Sequence, residues 1–235
     1  MNPFETPTGL SPDFAKRNPE LFRAKLIESL ERTSALSGSV WRKLCERKQT
    51  SPSLLEIDPT RWDSISHAVG GRIRLGAAFM PPTIHQTVTF EDWRFRGEQE
   101  YVYRLSHELA HLVHPKIFGL FGYKGKTSHE DSVDFMNTIF HARKGGIGFS
   151  PLGSLETYRR VGPHEQAVED HAELMNMFAL DPEYLKRYLT FLGDPAHARY
   201  RADHQLMEVD SGTAEYIFES IKSSYEFFLD DENER

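Results

Sequence analysis

The stretch Tyr101–His114, YVYRLSHELAHLVH, constrains this chain more than any other. Val102, Leu105, Leu109, Leu112 and Val113 fall in one sector at the 100° per residue of an α-helix, and His107, Glu108 and His111 fall opposite. Glu98 and Glu100 suit the start of such a helix, and Pro115 stops it. The pattern predicts a helix with one face on a core and the other toward a cleft. Residues four apart lie about one turn from each other, so His107 and His111 aim at a common point. Neutral imidazole is a zinc ligand, and two at this spacing make half of a tetrahedral site. Glu108, one residue on, is placed to take a proton from a water that the metal has acidified. HExxH fixes only three positions, and chance matches occur on plain surface helices. Here the amphipathic helix and the acidic helix downstream favour the metal reading.

A zinc that performs hydrolysis needs a third protein ligand and an open position. The segment His164–Pro182, HEQAVEDHAELMNMFALDP, is the expected source. It reads as helix, with Val168, Ala172, Met175, Phe178 and Ala179 on the apolar face and Glu165, Glu169, Glu173 and Asn176 flanking it. One carboxylate can bind the metal while its neighbour a turn away holds a histidine ligand. Glu169 as ligand with Glu173 behind it is the preferred assignment, and Glu165 with Glu169 behind it is the rival. A third histidine six residues after the second, the metzincin arrangement, is rejected because Ile117 occupies that position and His114 the usual glycine position. His164 and His171 remain further ligand candidates, with a half-buried place expected for His171.

His107–His111 followed by EDHAEL at Glu169–Leu174 resembles the zincin metallopeptidases, specifically the gluzincin-like group. The resemblance covers about residues 72–182. It implies that a glutamate of the second helix is the third ligand, with Glu169-x-x-Ala172-Glu173 matching the pattern of that helix. It implies peptide-bond hydrolysis with bound Zn2+, Glu108 as general base, and a His, Tyr or Arg of the later chain at the oxyanion. His204, Arg201 and Tyr158 are the candidates for that last role. The gap between the two motifs implies an insertion at about 115–160.

The rest of the chain narrows the classes of function. With 235 residues, 39% of them hydrophobic, one domain of moderate size can build a core. A net charge of −7 offers no electrostatic footprint for nucleic acid; the resemblance implies a peptide or protein substrate as the partner. Cys45 is the only cysteine, which removes disulfide frameworks and thiolate zinc sites. There is no classical signal segment and no run of 18 apolar residues, so a soluble, cytoplasmic protein without a membrane span is expected.

The expected fold is α+β: predominantly helical and zincin-like, with a small β-sheet ahead of the HExxH helix. Residues 1–20 read as an extended arm and 21–235 as a single domain. Within it, 21–70 is a helical N-terminal part, 72–182 the zinc-site core and 183–235 C-terminal helices. Leu21 to Lys48 reads as helix interrupted at Gly38, Ser51–Thr60 as a connector, and Arg61–Val69 as a short helix. Arg72–Met80 and Thr83–Phe90 have β character, Thr127–Arg143 reads as helix, and 145–163 as a long loop. Helices follow over Pro182–Leu192, Pro195–Val209 and Thr213–Leu229. A reading from another class is a non-catalytic interaction or sensor protein on the same scaffold, distinguished by whether the fourth coordination position is open.

Overall fold

The computed structural model describes residues 14, 17–48, 55–58, 67–69, 72–76, 98–113, 148–149 and 163–230. The chain forms two compact units, Met1–Leu112 and Val113–Arg235.

The first unit opens with helices α1 (Pro19–Thr33) and α2 (Ala35–Lys48). The break between them falls at Ser34 and not at Gly38. Ser34 is extended (φ −141°, ψ 102°), and its Oγ accepts the backbone N–H of Ser37 at 3.0 Å, which starts α2 with a side-chain cap. Gly38 lies inside α2, where a Cβ would sit 3.0 Å from Glu31 Cγ and 3.2 Å from Glu31 Cα. Its missing side chain lets two helices approach instead of ending one. Phe22, Leu26 and Leu30 of α1 and Val40, Trp41 and Leu44 of α2 are buried. Leu21 lies 100° off that stripe and is 50% exposed.

Three short strands follow: β1 (Leu55–Asp58), β2 (His67–Val69) and β3 (Arg72–Gly76), ordered β1-β3-β2. β1 runs parallel to β3 with Leu55 opposite Ile73, and β2 runs antiparallel with Ala68 opposite Ile73. Ile73, on the central strand, is fully buried. Strand pairing therefore overrides the connector expected at Ser51–Thr60 and the helix expected at the end of Arg61–Val69. Thr83–Phe90 and the part of Arg72–Met80 beyond Gly76 lie outside the described residues. The unit ends within α3 (Glu98–Val113), the HExxH helix.

The second unit contains α4 (Pro163–Leu180), α5 (Pro182–Gly193), a 3-10 turn (Pro195–His197), α6 (Ala198–His204) and α7 (Ser211–Leu229). Asp181 caps α5 by accepting the Glu183 N–H, with Pro182 in the first turn where its missing N–H costs nothing. Asp210 caps α7 through the Thr213 N–H at 2.8 Å. Met175 and Phe178, Leu185 and Leu189, and Ile221 and Tyr225 bring the buried faces of α4, α5 and α7 into this unit's core. Phe178 stacks on Tyr225 and meets Phe218 edge-on, and the Tyr225 hydroxyl donates to the Met175 carbonyl at 3.1 Å. The helix expected over Pro195–Val209 stops at His204, because Gln205 takes the left-handed conformation (φ 54°) and Leu206 pairs with Gly148. At Gly193, the last residue of α5, the Val209 carbonyl approaches so closely that a Cβ would collide with its oxygen.

The α+β class with a small β-sheet ahead of the HExxH helix is thus corrected. The described chain is mainly α-helix, and its strands are confined to segments of four, three and five residues. Helical periodicity dominates the sequence, and these strands are too short to make a second structural layer. Thr127–Arg143 and most of 145–163 lie outside the described residues. Among the described residues, no helix is long and apolar enough to cross a membrane.

Candidate metal centre

Helix α3 has no exposed residue from Val102 to Val113. Every residue from Val102 to Ala110 is buried, including Arg104, Ser106, His107 and Glu108, and His111 is half-buried. The polar face expected to look into a cleft is therefore enclosed: His107 is 3% exposed and Glu108 5%. A chain of hydroxyls ties this helix to the α1–α2 corner. Ser106 Oγ lies 2.7 Å from Ser37 Oγ, which accepts from Ser34 Oγ at 3.1 Å. The bonded pair sits one residue before His107, so the register of the first histidine is fixed from the N-terminal helices.

The Nε2 atoms of His107 and His111 are 3.2 Å apart, with ring centroids at 4.8 Å and planes at 85°. One ring can donate its N–H to the bare nitrogen of the other at that distance. The same separation also suits two lone pairs on one cation. Zinc–nitrogen bonds of about 2.0–2.1 Å at a tetrahedral angle place two ligand atoms about 3.3 Å apart. The separation of the two nitrogens thus matches that of two ligands on one zinc ion.

Glu169 is half-buried on α4. His107 and His111 each offer a ring nitrogen, and Glu169 offers a carboxylate oxygen. Two imidazoles and a carboxylate are a donor set that zinc takes in hydrolytic sites. The side chains of Glu165 and His164 lie outside the described residues, as do His85, His114, His129, His141 and Tyr158.

The turn after Glu169 is polar and enclosed: Asp170, His171, Glu173 and Asn176 are all buried. His171, expected half-buried, is 3% exposed. Burial pushes the Glu173 carboxyl up to about 8, against the pull of a hydrogen bond with Asn176, so Glu173 is largely protonated at neutral pH. A neutral carboxyl can donate a hydrogen bond as well as accept one.

Two of the oxyanion candidates have other work. The Arg201 guanidinium is buried and donates to the Asp194 carbonyl at 2.6 Å and to Glu208 at 3.2 Å. His204 bonds the Tyr200 carbonyl through Nδ1 at 2.9 Å and stacks on the Tyr200 ring. Both hold α6 in place. The sequence reading did not single out Ser106 or Asp170. Asp170 accepts the Phe149 N–H at 2.8 Å, a partner 21 positions earlier that no local pattern announces.

Comparison of the chain with family profiles, curated proteins and solved structures returns no match.

Proposed function

We propose that the protein is a zinc-dependent metallopeptidase, with His107, His111 and Glu169 holding the metal and Glu108 acting as general base. The observation that carries this reading is the pair of imidazole nitrogens, 3.2 Å apart on one buried helix with a glutamate between them in sequence. Further support comes from the resemblance of the two motifs, the second carrying Glu169, to gluzincin-like enzymes. Bound zinc would supply a Lewis acid that lowers the pKa of water and polarises a carbonyl. Glu108 removes the proton of the attacking water and passes it to the departing amine. Coordination would require neutral imidazoles at His107 and His111, each with a lone pair for the metal. The enclosure of Glu108 keeps its carboxylate out of bulk water, where a proton would be lost to solvent.

The test is metal content and turnover on the full chain. Zinc-replete wild type should carry about one zinc, as a single tetrahedral site requires. His107→Ala and Glu169→Ala should lose it. Glu108→Gln should retain zinc and fail to cleave a peptide library that the wild type cleaves. Wild type without zinc, or a Glu108→Gln variant that cleaves normally, overturns the reading.

A further inference from the structure

The two residues Gly148 and Phe149 have every backbone polar group engaged. Gly148 donates its N–H to the Gln205 carbonyl at 3.0 Å, and its own carbonyl accepts the Met207 N–H at 2.8 Å. Phe149 donates its N–H to Asp170 Oδ2 at 2.8 Å, and its carbonyl accepts the Tyr188 hydroxyl at 2.8 Å. The Phe149 side chain is 1% exposed, Tyr188 is 1% exposed and Asp170 is fully enclosed. This pair of residues is therefore a strap that joins α4, α5 and the segment after α6 through four hydrogen bonds.

The strap meets α4 one residue beyond Glu169. Side chains one apart on a helix point about 100° from each other. A fixed Asp170 therefore fixes the rotation of α4 about its own axis at the turn that carries Glu169. Enclosed acceptors that lose their donors are costly, so the turn is held to one setting.

We propose that Asp170 is a positioning residue for the Glu169 carboxylate: through the Phe149–Tyr188 strap it sets the helix rotation at which Glu169 serves as the third metal ligand. The proposal rests on the metal reading above. It assigns Asp170 no contact with metal or substrate.

Zinc affinity, measured on the full chain by competition with a chromophoric chelator, tests it alongside thermal unfolding. Asp170→Ala should weaken zinc by about 10–100-fold, the usual effect of removing a residue that orients a ligand. Asp170→Asn keeps an oxygen for the Phe149 N–H and should restore most of the affinity. Tyr188→Phe cuts the far end of the strap and should give a smaller loss of the same sign. Tyr225→Phe removes another tyrosine bond to α4, at the Met175 carbonyl, and should leave affinity unchanged. Wild-type affinity in folded Asp170→Ala overturns the proposal. An equal loss in Tyr225→Phe overturns it too, because the effect would then be general loosening of the unit. Should Asp170→Ala fail to fold, Tyr188→Phe decides, and unchanged affinity there is the negative result. A wild type that binds no zinc removes the metal reading and this proposal together, whereas a wild type that binds zinc alongside unaffected strap variants removes this proposal alone.

Discussion

Helices α3 and α7 have similar lengths, sixteen and nineteen residues, and bury themselves in different ways. α7 buries a stripe, Ile217, Ser220, Ile221, Ser224, Tyr225 and Phe228, and leaves Glu215, Tyr216, Glu219 and Glu226 in solvent. Its buried hydroxyl on Ser224 returns to the carbonyl of Ser220 in the same helix. α3 exposes nothing between Val102 and Val113, and it encloses an arginine, a histidine and a glutamate. Taking such groups out of water costs several kcal/mol each unless they are matched. α7 buries a mostly apolar stripe, and α3 departs from it by also burying Arg104, Ser106, His107 and Glu108.

The contrast can be broken at several points. Glu108→Gln should lower peptide turnover by about 10²–10⁴-fold, the span expected for a lost general base, with zinc content unchanged by elemental analysis. Ile221→Ala in α7 should do the reverse. Urea unfolding should show a loss of about 2–5 kcal/mol from a fully buried apolar position, and the zinc content should stay at the wild-type value. If both variants lose metal and stability together, the two helices do not differ in role.

Glu173 on α4 extends the comparison to pH. Its carboxyl titrates near 4.5 when exposed and near 8 in the folded chain. Between those values the folded state holds a proton that the unfolded state has released. Stability should therefore fall as pH rises through that window, by on the order of 1.4 kcal/mol per pH unit, and flatten above it. Glu173→Gln should remove this slope in urea melts at pH 5 and pH 8; an unchanged slope would assign it elsewhere. The smallest effects separate two buried serines. Ser106→Ala should cost about 1 kcal/mol, because it takes a partner from Ser37 on another helix. Ser224→Ala should stay within about 0.5 kcal/mol, since its bond lies within one helix. Equal losses in parallel melts would mean that the contact between helices contributes no more than the local one.

The helices were legible wherever the apolar period ran unbroken. Tyr101–Val113, the segment at His164–Leu180 and the last two long helices all declare themselves in that way. Periodicity failed where the deciding partner was distant or the contact was with backbone. Ser34 breaks a helix through a bond to the Ser37 N–H, and Gly38, the residue that looks like a breaker, instead accommodates Glu31. β1 and β2 depend on pairing with β3, which local composition did not reveal. At the site, the spacing of His107, Glu108 and His111 could be read directly. The enclosure of His107 and Glu108 could not, because a helical pattern shows which face is apolar and not whether the polar face is covered. Asp170 went unnoticed because its neighbour Phe149 is close in space and 21 residues away in sequence.

The end of α5 also sets how this sequence can drift. At Gly193 the obstacle to any side chain is the Val209 carbonyl, a backbone atom that cannot rotate aside. At Gly212 the nearest atom to a new Cβ is the Asp210 Oδ1 at 3.4 Å, an ordinary contact with a side chain. In a population of variants the two glycines should therefore have opposite records. Position 193 admits no substitution without moving the chain at Val209, whereas position 212 is open to replacement. That makes Gly193 a fixed point in the chain's future sequences, although it carries no chemistry of its own.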